Sequence, residues 1–394
     1  MKRILLSTAL LCSIFPLFSQ QWDTLAPVPE ALTFAVAAVV DGKIYLMGGG
    51  GTGGASKHNY VYDPATDMWS QLADIPYAAQ QPAGAAVNGK IHYFGGGYPN
   101  TGTPLDDHYV YDPSTDSWSP AADLTAPRAI HYGEGLDGVL YSLGGQGMAN
   151  LCQTYDEVND QWITKNNLPD NSFWYGAHVA TGGHIYRFCG GGYTAPVKKA
   201  HQYNPGGDTW SPLPDMPNAI HALRGAAIGD KIFRAGGYFD FLERDEVWVF
   251  DTQSETYSAG IPLPLGRAYH NLVAVDSCIY SIGGNHAIDE TVRTQLLRFC
   301  PFEDPSGVEE APVAKSATAY WQVGTLYVKL PEKWDGKADL AVFDLAGRMV
   351  FSENAAGVSS GQLEAPTGEL APAVYFFQMR AEGRIFYGKV AVAR

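Results

Sequence analysis

Basic residues are scarce in this chain. Its 394 residues include 26 Lys and Arg against 41 Asp and Glu, a formal net charge of −15, and no Lys/Arg run occurs. That balance disfavours nucleic acid and anionic membrane as partners. No long amphipathic helix is visible, and after the first 20 residues no apolar span is long enough to cross a bilayer. Metal-ligand patterns of the HExxH or CxxC kind are absent, and no cofactor is expected. Cysteine is sparse, with 5 in all. The chain is nonetheless long enough for two domains and a sizeable core.

What is present is a repeat. Double glycines stand at Gly48-Gly49, Gly95-Gly96, Gly144-Gly145, Gly190-Gly191, Gly236-Gly237 and Gly283-Gly284, stepping by 47, 49, 46, 46 and 47 residues. Trp22, Trp69, Trp118, Trp210 and Tyr257 each lie 26 residues before their glycine pair, and Trp162 lies 28 before. Short runs such as Lys43-Ile44-Tyr45-Leu46-Met47 precede the glycines, and Tyr62-Asp63, Tyr111-Asp112, Tyr155-Asp156, Tyr203-Asn204 and Phe250-Asp251 follow them. Aromatic and β-branched runs bounded by Gly, Pro, Asp and Asn read as strands joined by tight turns. A period of this length fits a four-stranded propeller blade. The extra residues around Ile185-Tyr186-Arg187-Phe188-Cys189 suggest a β-bulge in the fourth unit.

Together these marks resemble the kelch repeat over roughly residues 20–301. The fold class expected is all-β: a six-bladed kelch β-propeller followed by a small C-terminal β-sandwich. After the sixth glycine pair no tryptophan follows the strand Gln295-Leu296-Leu297-Arg298-Phe299. The unmatched Trp22 lies at the other end, so the N-terminal segment should supply the last blade's outer strand and protect the edge.

Lys2-Arg3, the apolar stretch Ile4 to Phe18 and a small residue at Ser19 read as a signal peptide over 1–19. Cys12 would suit lipidation, but Leu11 precedes it where a small residue is expected. Residues 302–317, with Glu303-Asp304-Pro305-Ser306-Gly307, suit a linker. Beyond it the repeat stops, and residues 318–394 read as a small β-sandwich. The set Val342-Phe343-Asp344-Leu345-Ala346-Gly347-Arg348, then Val374-Tyr375-Phe376 and a basic-aliphatic end, resembles the type A C-terminal sorting domain of type IX secretion. Pro372-Ala373 stands where that family usually has a glycine. The resemblance implies export by a Gram-negative cell, with the secretion machinery as a partner and a surface or extracellular destination.

An oxidising destination suits the four remaining cysteines. If the last blade pairs its second and third strands as a hairpin, Cys278 and Cys300 fall opposite one another, a disulfide candidate. Cys152 and Cys189 belong to different blades and read equally well as buried thiols. Two motifs are discounted. Gly357-Val358-Ser359-Ser360-Gly361 spells a nucleophile elbow with no following helix, and the glycine run at Gly48 to Gly53 opens no helix either.

In kelch-like rings the loops entering each inner strand and those after the glycines emerge on one face. That places Arg128, His131, Phe173, Trp174, Tyr175, His178, His221, Arg224, Arg267 and His270 with Gln80, Gln81, Tyr98, Tyr193, Tyr238, Phe239 and Asp240 around one mouth. Aromatic rings and guanidinium groups suit sugars or carboxylates. The Arg-x-x-His pairs are also common kelch filler that holds loop backbone. The favoured reading is a surface or secreted binding module for glycan or extracellular protein. The alternative is a sugar-acting enzyme such as a sialic-acid mutarotase, with His131, His221, His270 and Asp240 as acid/base candidates. A galactose-oxidase-like copper oxidase is the remote third, sharing only the repeats.

Overall fold

The structure is a computed structural model. It describes residues 21–392 except 52–53, 98–102, 147, 170–174, 193–194, 241, 287–290, 302–314, 317, 323–324, 331–334, 344–348, 369, 372 and 382–383. The chain divides into two compact units, 1–303 and 304–394.

The first unit is a six-bladed propeller of antiparallel four-stranded sheets. Blade one is Val36–Val40, Lys43–Met47, Asn59–Asp63 and Met68–Gln71. Blade two runs Ala83–Val87, Lys90–Phe94, His108–Asp112, Ser117–Pro120, and blade three Tyr132–Leu136, Val139–Leu143, Cys152–Asp156, Gln161–Thr164. Blade four is Ala177–Thr181, His184–Phe188, Ala200–Asn204, Thr209–Leu213, and blade five Arg224–Ile228, Lys231–Ala235, Val247–Asp251, Thr256–Ala259. Blade six combines Asn271–Val275, Cys278–Ile282 and Leu296–Phe299 with Asp23–Leu25 from the start of the chain. The borrowed strand pairs Asp23, Thr24 and Leu25 with Arg298, Leu297 and Leu296. Each inner strand packs on the next around the axis, blade six returning to blade one.

One bond repeats round the rim and explains the spaced aromatics. The indole N–H of Trp69 donates to Ala26 O at 3.0 Å, Trp118 to Ala73 O at 3.0 Å, Trp162 to Ala122 O at 2.9 Å and Trp210 to Asn166 O at 3.3 Å. The Tyr257 hydroxyl donates to Pro214 O at 2.8 Å, and Trp22 closes the circle on Ile261 O at 3.1 Å. A second bond runs beside it in four blades. Asp67, Asp116, Asp160 and Asp208 each accept from a tyrosine hydroxyl of their own blade and from a backbone N–H of the preceding one. Those bonds favour the charged carboxylate and lower the pKa of Asp67 and Asp160.

Blade four corrects one expectation. Its strands run in unbroken register through Ile185–Phe188, with no bulge. One of the two extra residues is accounted for at Cys189, whose φ of 55° fills the left-handed position that Gly48 takes at 60° in blade one. The other lies between Trp162 and Ala177, 15 residues apart where Trp22 and Val36 are 14 apart. Cys189 N–H donates to Lys199 O as Gly48 N–H does to His58 O. Cys189 and Cys152 are buried free thiols, and a disulfide joins Cys278 to Cys300.

The second unit is an eight-stranded sheet in the order Lys315–Ser316, Arg384–Val392, Ala373–Ala381, Gly336–Phe343, Met349–Ser359, Gln362–Ala365, Thr325–Lys329, Thr318–Gln322. Strand Thr318–Gln322 lies back against Arg384–Val392, so the sheet curls into a sandwich around Leu326, Val328, Leu340, Val342, Leu363, Phe377 and Met379. Ser360-Gly361, with φ of 52° and 75°, is the two-residue turn between paired strands.

Candidate functional site: the axial channel and its loop face

Two residues before each inner strand the backbone turns left-handed: Phe34 at 54°, Gln81 at 57°, Ile130 at 57°, Tyr175 at 57°, Ala222 at 58° and Tyr269 at 56°. None is glycine, so each position carries strain of about 1 kcal/mol. Backbone bonds around the axis offset it. Phe34 N–H donates to Tyr269 O at 3.1 Å, Tyr269 N–H to Ala222 O at 3.0 Å, Ala222 N–H to Tyr175 O at 2.7 Å and Ile130 N–H to Gln81 O at 3.2 Å. Three of the side chains meet over the axis: Phe34 and Tyr269 with ring centroids 4.2 Å apart, Tyr175 and Tyr269 5.7 Å, Phe34 and Tyr175 6.1 Å. An aromatic cap therefore covers the axis where an open mouth was expected.

The Arg-x-x-His pairs turn inward. Arg128 is wholly buried and donates to Gln153 Oε1 at 2.7 Å and to Gly144 O at 3.4 Å. Arg267 repeats this with Gln295 Oε1 at 2.8 Å and Gly283 O at 3.5 Å. Both guanidinium groups latch a glycine-pair carbonyl, which corrects their placement in a ligand mouth. His270 bonds Ser281 Oγ at 2.9 Å and Ala235 O at 3.1 Å. The His131 ring lies against Gly95, where any Cβ would overlap it, and 5.3 Å from Phe94. His221 is buried edge-on to Tyr238 at 5.2 Å. Burial lowers the pKa of all three, to about 4 for His221 and about 3 for His270, so they are neutral at physiological pH.

Of the other candidates, Tyr175 belongs to the cap, Tyr238 is half-buried, and Asp240 is exposed at a hairpin tip. Tyr98, Phe173, Trp174 and Tyr193 lie outside the described residues. Arg224 stays half-buried at the axis, its Cζ 5.4 Å from the centroid of the Tyr132 ring.

Around Arg224 stand His178, a candidate from the sequence, and two residues that sequence reasoning missed, Tyr132 and Glu134. Tyr132 stacks on His178 with centroids 4.1 Å apart. Glu134, two residues along the same strand, keeps partial solvent contact while protein surrounds it, and its pKa is raised to about 7. Desolvation is the main cause; the Ala180 N–H and the Arg224 charge oppose it. A signal for Glu134 exists in the repeat itself. The third inner-strand residue is Ala38, Ala85, Glu134, Val179, Ala226 and Val273 from blade to blade, and only one of these ionises. No group of three or more His, Cys, Asp or Glu side chains fit to hold a metal occurs among the described residues.

Outside the cap the loop face carries exposed apolar side chains. The blade-five hairpin Tyr238–Phe239 with Leu242–Glu243 exposes Phe239 at 41% and Leu242 at 44%. Arg244 lies over the Phe239 ring at 5.5 Å and donates to Phe239 O at 3.4 Å. Leu265, 37% exposed, adjoins Gly266, which backs onto the Glu243 backbone.

A family model described as the KLHDC2/KLHL20/DRC7 Kelch-repeats domain matches residues 12–145. Among curated proteins, Kelch-like protein 23 of Homo sapiens is 31% identical over 98 residues, 24% of this chain and 18% of its own length. The matched part of the chain carries kelch repeats. Kelch-like protein 36 of Bos taurus is 25% identical over 214 residues, 50% of this chain and 33% of its own. The kelch stretch thus spans only a minor part of these curated relatives. A solved structure titled "Structure of YjhT" superposes with a TM-score of 0.60 at 18% identity, covering 69% of this chain and 96% of that one. That likeness is one of fold.

Proposed function

We propose that the kelch propeller is a binding module, exported from the cell, that docks an extracellular protein or glycan on its loop face. The observation that carries this reading is the exposed Phe239, Leu242 and Leu265 cluster beside a capped axis. Rigid apolar anchors on a wet face are the usual source of binding energy at an interface. Phe239→Ala with Leu242→Ser should abolish partner capture from extracellular protein and glycan arrays without shifting the thermal midpoint. Unchanged capture would remove the loop face from consideration. Export by type IX secretion rests on the sorting-domain resemblance of residues 318–394. Deleting 304–394 should leave the propeller in the periplasm; its appearance outside the cell would contradict that route.

A sugar-acting enzyme is the second reading, and Glu134 favours it. A carboxyl group at the axis with a pKa near 7 suits acid or base work at neutral pH. Anomer exchange of added sugars, followed by NMR and lost in Glu134→Gln, is the test.

A further inference from the structure

Arg224 makes no salt bridge among the described residues, although its charge reaches the Glu134 carboxyl. Its hydrogen bond runs from Nη1 to the adjacent Leu223 O at 3.2 Å. Three of the four fully buried arginines spend their guanidinium groups on side-chain amides, Arg128 on Gln153, Arg267 on Gln295 and Arg234 on Asn218, and the fourth, Arg187, meets His201 Nδ1 at 3.3 Å. Arg224 instead reaches across the axis from blade five to the Tyr132 ring of blade three. That ring is fixed from behind by His178 of blade four. Glu134 follows Tyr132 on the same strand and the same face, within the field of Arg224. A guanidinium held half-desolvated on an aromatic face, with free donor positions, binds a planar oxyanion through two parallel hydrogen bonds.

From this we propose that the space bounded by Tyr132, Glu134, His178 and Arg224 is a binding site for a small organic carboxylate. Arg224 takes both carboxylate oxygens, Tyr132 and its stacked histidine form one wall, and Glu134 in its neutral form donates to the anion.

The charged and titratable groups around Glu134 are few. Tyr132 shares its strand and stacks on His178 of blade four, which has Arg187 near it, while the Ala180 N–H from blade four and the Arg224 charge from blade five reach Glu134 itself. His178 is neutral, because burial outweighs everything else and both arginines disfavour a further positive charge. Glu134 is therefore the group that changes charge near neutrality, and its ionisation puts a negative charge beside the anion. Carboxylate affinity should fall as the pH rises through about 7.

The site shares Glu134 with the second reading above, but occupancy is measured without turnover and without a macromolecular partner, so failure of this proposal is told apart from failure of either reading. Isothermal titration of the full-length protein with sodium acetate and sodium benzoate, in non-carboxylate buffer at pH 6.0 and pH 8.5, tests it. Acetamide, benzamide and inorganic phosphate serve as controls. Saturable one-site binding of a carboxylate at the lower pH, absent for the amides and weaker for phosphate, is expected. Arg224→Met should weaken it by about tenfold or more. Arg224→Lys, which keeps the charge and loses the fork, should be intermediate and guards against a misfolded methionine variant. Glu134→Gln should bind equally at both pH values. Amides binding as well as acids, phosphate binding as tightly, Arg224→Met binding like the parent, or no saturable binding at all would each overturn the proposal.

Discussion

The rim and the axis of the propeller follow opposite rules. At the rim every blade repeats one bond, an outer-strand aromatic donating to a carbonyl of the blade before it, six times without a gap. At the axis the blades diverge. The first inner-strand residue is Val36, Ala83, Tyr132, Ala177, Arg224 or Asn271, and the third is Glu134 in blade three alone. Repetition closes the ring, and departure from it furnishes the ring with chemistry. Changes at the rim should therefore cost stability, and changes at the axis should alter binding and pH response.

The largest effect belongs to the one rim link that joins the two ends of the propeller chain. Trp22 is 7% exposed, packs its ring against Phe299 at 5.3 Å and bonds Ile261 O. Trp22→Ala should cost about 3–5 kcal/mol, read as the urea midpoint. The matching change at Trp210, which is half-buried and bonds Asn166 O at 3.3 Å, should cost less. Equal losses would mean the closing link is nothing special. Next comes the Cys278–Cys300 bridge in the same blade, whose cysteines lie 22 residues apart. Replacing both by serine should remove about 2–4 kcal/mol by relaxing the unfolded chain, and reductant should reproduce the loss.

Between blades two and three the rim carbonyl, Ala122 O, takes a second donor besides Trp162. His108 Nδ1–H donates to Ala122 O at 3.1 Å, so its Nε2 accepts from His92 Nδ1–H at 2.9 Å. Burial, the main cause in both, pushes His92 down to about 4 and His108 to about 3. Their ordinary value is 6.5, so between that pH and about 4 the unfolded chain binds more protons than the folded one. Stability then falls as the pH drops through that window. The expected loss between pH 7 and pH 4.5 is about 1–3 kcal/mol, and His92→Gln should flatten it. A slope identical in the variant would place the acid lability elsewhere.

The same contrast sets what was legible in the sequence. The six-bladed kelch fold could be read because glycine pairs and aromatics obey a fixed spacing imposed by identical local bonds. The pattern misled where one residue stood in for another: Cys189 takes a left-handed slot that glycine fills in blade one, so a shifted register looked like a bulge. Proximity to the axis was also a poor guide to exposure. Arg128 and Arg267 enter the mouth loops in sequence but fold back onto Gly144 and Gly283. Tyr132 and Glu134 carry no motif or loop signal, and only their contrast with residues such as Val36 and Ala38 at the same inner-strand positions sets blade three apart.

The smallest expected effect distinguishes axis from rim by its sign. Glu134 has its pKa raised from 4.5 to about 7 by desolvation. A raised carboxyl pKa means the folded state binds more protons than the unfolded one between those values, so stability falls as the pH rises through them. Glu134→Gln removes that liability. It should leave the urea midpoint unchanged at pH 4.5 and raise stability by about 1 kcal/mol at pH 8, the value being reduced because the side chain keeps solvent contact. His92→Gln acts in the opposite window and the opposite direction. Stabilisation by Glu134→Gln at pH 8 together with a lost pH response in carboxylate binding would tie both to one group. A destabilised Glu134→Gln would instead make Glu134 a structural member of the inner wall, bound to Ala180 N–H like any other ladder atom.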